Sequence, residues 1–312
     1  MKKQILIVLL LLLSCHWGWA QHTSGADSVS DKDSVIAVAM QQMQPKAAET
    51  YRLADKVVWF SAGHHHNYDD YLSSLLYKGD ALALGFEQSR FYSAQYPRIS
   101  NYEGAEVHAD IDQNPAKNAT MYEAFVRGFY GAHYHFNLSH GFLLRAGAFT
   151  NIDLGARALL INGNNPVDAI ANSNLWLSAI LSYRLHLGRF SFFLRNHFAT
   201  PFVGVMFSPK YTETYYDMAY VDDYDGNVVG TWWGNRWQWR NDLSVDIPLR
   251  RIANFRFGFL AERAVTTVNK VETRDMHLSF QVGIVKKFYT FKGKQNIPSN
   301  YIYPTEWNDS KH

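Results

Sequence analysis

The sequence predicts an all-β fold: an antiparallel up-and-down transmembrane β-barrel of about ten strands, with eight and twelve as the open alternatives. Three observations carry that expectation. From Trp237 to Leu260 the side chains alternate through two consecutive strands, with Trp237, Trp239, Leu243, Val245, Ile247 and Leu249 at one parity and Gln238, Arg240, Asp242, Ser244 and Asp246 at the other. Aromatic residues form 15% of the chain, with 9 tryptophans and 19 tyrosines, as suits strands and the girdles of a membrane interface. Beyond the first residues, no segment has the ~20 consecutive apolar residues of a spanning helix.

The N-terminal stretch reads as an export signal. Met1-Lys2-Lys3 is basic, Ile5 to Leu13 is apolar, and Gly18 and Ala20 supply a small-x-small ending, so residues 1–20 are expected to be cleaved. The alternative is a lipoprotein signal that acylates Cys15, the only cysteine. With residues 1–20 removed, no thiol chemistry remains and the 30 basic residues fall to 28 by loss of Lys2 and Lys3, against 28 acidic ones. A neutral chain argues against nucleic acid as a partner.

Residues 21–50 are polar and aperiodic, a flexible periplasmic lead-in. The barrel is expected over residues 51–291, followed by a polar tail, 292–312. Lys56 to Ser61 is the candidate first strand. Leu82, Leu84 and Phe86 then alternate with Ala83, Gly85 and Glu87, and Val107, Ala109 and Ile111 alternate with Glu106, His108, Asp110 and Asp112. From Met121 the pattern lengthens, with Tyr122, Val126, Tyr130 and Tyr134 opposed to Glu123, Arg127, His133 and His135. That exceeds the 3–10 residues of an ordinary soluble strand and fits a tilted one that crosses a bilayer and projects beyond it.

The return strand sets Ile152 and Leu154 against Asp153 and Arg157, and the next sets Leu175 to Leu187 against Trp176, Ser182 and Arg184. Phe190 to Leu194 follows, opposite Arg195 and His197. Phe255, Phe257 and Phe259 oppose Arg256, and Leu278 to Ile284 opposes His277, Ser279 and Gln281. Short connections at 137–141, 187–190 and 248–254 alternate with longer ones at 160–172, 208–227 and 266–275, as periplasmic turns alternate with outside loops. This places His64, His65, His66, Asn164, Asn165, Tyr211, Tyr215 and Tyr216 in loops at an outer mouth.

Several stretches resemble an uncharacterised family of outer-membrane barrel proteins from Bacteroidota. They are Tyr71 to Gly79, Asn162-Gly163-Asn164-Asn165-Pro166, and Pro201 to Pro209 with Tyr211 and Tyr215-Tyr216, within a similarity that runs from about Tyr71 to Val285. The chain departs from the family at Ser74 and at Thr212-Glu213-Thr214, where members carry proline and a glycine-containing run. The resemblance implies the fold and an outer-membrane location, and it implies no activity.

Charges recur on the polar parity: Glu87, Arg127, Asp153, Arg157, Arg184, Arg195, Arg240, Asp242, Asp246, Arg256 and Glu262. A ten-stranded bore is narrow and filled by side chains, and buried charges are costly unless paired, so these residues are expected to interlock as a lumen network. His64 to His66 with Asp69 and Asp70 has the donor types of a transition-metal site. Adjacent side chains on an extended chain point alternately, however, so no metal is assigned there. His277 and Ser279 share a face and invite an acyl-hydrolase reading, but that face points away from lipid, so they are read as lumen lining. The expected function is a structural or binding barrel with a filled lumen, in contact with outer-membrane lipid and with a surface ligand or protein as the open partner. A narrow solute channel is the alternative, and no cofactor is expected.

Overall fold

The computed structural model describes residues 53–92, 98–139, 142–163, 165–187, 190–211, 213–216, 218, 225–250 and 253–289. The expected signal, lead-in and C-terminal tail lie outside these residues. Almost everything described is strand: β1 (Leu53–Asp69), β2 (Ser73–Phe91), β3 (Ile99–Gln113), β4 (Thr120–Ser139), β5 (Phe142–Ala158), β6 (Val167–Leu187), β7 (Phe190–Phe207), β8 (Val228–Trp232), β9 (Arg236–Arg250), β10 (Ala253–Val268) and β11 (Val271–Tyr289).

Each strand pairs antiparallel with its neighbours, and the ring closes where β1 meets β11. At its upper end β7 pairs with β8 through Val203–Phe207, and lower down it pairs with β9 through Phe193–Ala199. Strands β8 and β9 are therefore one interrupted stave, broken at Trp233 to Asn235, where Asn235 closes a turn onto Trp232. Counting that stave once leaves a closed antiparallel ten-stranded barrel, with both ends of the described chain at its lower rim. Such closure removes the unpaired edges that an open sheet would present.

Strands of 15 to 21 residues are far longer than the ~9–11 that cross a bilayer. Their upper ends continue into water, and this corrects three expected loops, of which the one at 160–172 is strand from Val167 onward. His64, His65 and His66 lie inside β1, which turns only after Asp69, and the expected loop at 266–275 is strand except for Asn269 and Lys270. Those two residues have φ of 52° and 64°, the left-handed pair of a tight hairpin turn. Around His64 and at 266–275 the outward residues are polar because they face water, so the contrast between the two parities fades although the strand continues.

The parities sort by surface. Gln238, Asp242, Ser244 and Asp246 are buried in the lumen, while Leu243 is 44% and Phe257 50% exposed on the outside. The outer belt continues through Val58, Leu84, Val107, Val126, Leu154 and Val282. Exposed aromatics stand toward its two ends, with Trp232, Trp233 and Trp237 above, and Tyr134, Phe136, and Phe142 stacked on Tyr183 below. Inside, Tyr102, Phe129, Phe149 and Trp176 form an aromatic cluster, and Trp59 lies flat across Gly85, where any Cβ would strike the indole.

Candidate functional site in the barrel lumen

Four arginines reach across the diameter of the barrel. Around the ring, β4 and β10 are five staves apart in either direction, as are β3 and β9, β5 and β11, and β2 and β7. Arg127 on β4 makes two bonds to Asp153 on the adjacent β5 (3.0 and 3.3 Å) and two to Glu262 on β10 opposite (3.0 Å each). Arg240 on β9 clamps Glu106 on β3 at 2.7 and 2.8 Å and also reaches Glu262. Arg195 on β7 contacts Asp242 on its neighbour and Glu87 on β2 across the lumen. Arg157 on β5 bonds Glu123 beside it and Asp275 on β11 opposite, each at 2.6 Å.

Arg256 completes the set, gripping Asp246 through two bonds and Glu87 at 2.6 Å. Bidentate guanidinium–carboxylate pairs are among the strongest charge-assisted hydrogen bonds, and those of Arg127 with Glu262 and Arg240 with Glu106 tie opposite walls together. Expected lumen residues Arg127, Asp153, Arg157, Arg195, Arg240, Asp242, Asp246, Arg256 and Glu262 meet in this lattice, together with Glu106, Glu123 and Asp275, which were not among them. Arg184 lies at the lower end, its guanidinium 4.9 Å from the centre of the Phe193 ring.

Some space is left between these side chains. Two cavities of about 60 Å³ share the walls formed by Arg157, Asn172, Arg236 and Asp275. The inner one ends at Glu123 and His277, and the outer one at Asp168 and Pro209 near the upper rim. His277 and Ser279 both face the lumen, and no hydrogen bond joins them among the described residues. A polar chain lower down links His133 to His197 through the Ser178 hydroxyl, which lies 2.8 Å from a nitrogen of each.

The upper rim is partly covered by the described part of the 208–227 connection. Tyr215 donates its hydroxyl to Asp168 and accepts from the Ala169 amide, and it packs edge-on against Tyr71 at 6.0 Å. Burial and the Asp168 carboxylate push the Tyr215 phenol well above its usual pKa. Tyr71 donates to the Glu213 carbonyl, while Asn269 donates to the carbonyls of Ser208 and Gly226. Tyr211 and Tyr216 face outward from this cap, Asn165 lies in the 159–166 connection, and Asn164 lies outside the described residues.

Of the triple histidine, only His65 turns inward, where it is fully buried with Nδ1 2.8 Å from Asp112 Oδ2. His64 faces outward beside Asp80, and His66 is partly buried. His65, Asp110, Glu123 and His277 bring one ligand-type atom each to within 4.8 Å of one another. Sequence reading missed this convergence. Its one signal was the ionisable stripe Glu106, His108, Asp110 and Asp112.

A closed β-barrel with an apolar belt outside and an ionic lattice inside belongs to the class of outer-membrane-type barrels. The chain itself is a member of the family described as protein of unknown function (DUF3316), whose model matches residues 5–295. A search of curated proteins gives no match. Among solved structures, it is similar to the translocator domain of the autotransporter NalP from Neisseria meningitidis, at 10% identity and a TM-score of 0.38, covering 82% of this chain and 98% of that one. The β domain of the Bordetella autotransporter BrkA gives 10% identity and a TM-score of 0.41, with 75% and 99% covered. The outer membrane protease OmpT from Escherichia coli gives 9% and 0.40, with 76% and 97% covered.

Proposed function

We propose that this protein is an integral outer-membrane barrel that conducts no solute, with its upper rim outside the cell as a recognition surface for a ligand or protein partner. The single observation that carries this reading is the set of arginines bonded across the lumen diameter, because a path for solute would have to break them. Each such break leaves charges in a low-dielectric interior, at a cost of several kcal/mol. The outer belt supports the location, since a continuous apolar girdle around all sides of a barrel is unfavourable in water and matched to acyl chains.

The rim is suited to recognition because its described cap is anchored by side-chain bonds from Tyr71, Tyr215 and Asn269 while presenting Tyr211, 55% exposed, and Tyr216, 66% exposed. Exposed aromatics held on an ordered scaffold make contacts at low entropic cost. Conductance across a planar bilayer tests the closed lumen. The wild-type chain is expected to give no steady current, and Arg240→Ala at most brief openings. A steady wild-type current that Arg195→Ala or Arg240→Ala alters would instead establish the narrow channel.

A further inference from the structure

We propose that His65, Asp110, Glu123 and His277 bind one divalent transition-metal ion in the upper lumen, with zinc the best chemical match. The inference needs only the lumen geometry and stands apart from the recognition role above. Two imidazole nitrogens and two carboxylate oxygens are a donor set that zinc favours in four-coordinate sites. The four residues come from β1, β3, β4 and β11, and their ligand-type atoms already lie within 4.8 Å of one another. A tetrahedral zinc sphere has ligand atoms about 3.3 Å apart, so binding contracts the group by an ångström or so.

Atoms without partners point to an ion independently. Both Asp110 oxygens are buried with no hydrogen bond, in a residue only 2% exposed, and His65 Nε2 is buried and unbonded in a residue with no exposure. A buried carboxylate without a partner is rare because desolvation is then uncompensated. A carboxylate only accepts, so the proton between His65 and Asp112 belongs to Nδ1, and in the neutral ring Nε2 then carries the lone pair. A carboxylate behind a histidine in this way is the arrangement that orients metal-bound imidazoles. His277 stacks on His65 at 4.0 Å, and Glu123 is fixed through Oε2 by Asn67 and Arg157.

The charge balance points the same way. Asp69, Asp110, Asp112, Glu123 and Asp275 gather here, and of these Arg157 bonds Asp69, Glu123 and Asp275, while Asp110 and Asp112 meet no guanidinium and Arg236 donates to the neutral Gln238. A bound dication would supply the missing positive charge. Two cavities that share wall residues lie between the rim and Glu123 and His277, on the side from which an ion would enter. The competing arrangement is an imidazolium at His65 facing Asp275 Oδ1, which lies 3.8 Å from Nε2.

The test titrates chelator-stripped full chain, in detergent and without a polyhistidine tag, with Co²⁺. Visible absorption and elemental analysis are read, and the folded state is checked by circular dichroism and by heat-modifiable gel mobility. One Co²⁺ per chain with a tetrahedral absorption band is expected, displaced by Zn²⁺. Asp110→Asn and His277→Ala should each weaken binding tenfold or more, and His64→Ala, which faces outward, should leave it unchanged. Folded wild type that takes up no Co²⁺, or variants that keep wild-type affinity, overturns the proposal. Should both variants misfold, wild type decides alone: its thermal midpoint must rise with added Zn²⁺, and an unchanged midpoint overturns the site.

Discussion

The middle of the lumen and its upper third are built from the same residue types, but in the upper third only the carboxylates around Arg157 find a guanidinium. In the middle, Glu87, Glu106, Asp153, Asp242, Asp246 and Glu262 each touch at least one guanidinium. Higher up, Asp110 touches no cation and Asp112 meets only the His65 ring. The contrast separates two uses of buried charge. A carboxylate matched to an arginine on the facing wall locks the barrel, whereas an unmatched one is a standing electrostatic cost that a ligand can relieve.

The largest expected effect falls in the matched region. Arg127→Ala leaves Asp153 and Glu262 buried without their shared partner and should cost about 3–5 kcal/mol, read as a lower denaturant midpoint in detergent micelles. A loss under about 1 kcal/mol would mean that the lattice is solvated. In the unmatched region the sign reverses. Asp110→Asn, measured with chelator present, should stabilise the barrel by about 1–3 kcal/mol, because it replaces a carboxyl whose buried oxygens have no hydrogen-bond partner. If both substitutions destabilise equally, the distinction between the regions fails.

Two smaller effects concern the rim. Tyr215→Phe loses bonds to Asp168 and the Ala169 amide, and should cost about 1 kcal/mol, seen as faster hydrogen exchange in the described part of the cap with the lumen strands unchanged. Lys270→Gly places glycine at a left-handed turn position and should add about 0.5–1 kcal/mol, visible as a slightly higher thermal midpoint.

Legibility in the sequence followed the solvent. Where a strand has lipid outside and ions inside, as from Leu243 to Phe257, neighbouring residues differ so strongly that the inward set could be read directly. Where the outside is water, as at His64 to Asp69 and Thr266 to Asp275, the outward residues are polar like most of the inward ones, and the strand reads as loop. The pairings inside the lumen were illegible for another reason. Arg127 meets Glu262 and His65 meets Asp110 only because ring closure and strand stagger bring distant segments level. Alternation fixes which way a side chain points but carries no information about its height relative to strands far away in the chain.

Nitroxide labels placed at Leu243→Cys, Phe257→Cys and Ser244→Cys in liposome-reconstituted protein test the central claim most directly, through their relaxation by oxygen and by a water-soluble nickel chelate. The inside-out arrangement predicts that labels at 243 and 257 respond strongly to oxygen and weakly to nickel, as probes in acyl chains do, while the label at 244 is shielded from both. Strong nickel relaxation at 243 and 257 would place the apolar belt in water and contradict the account.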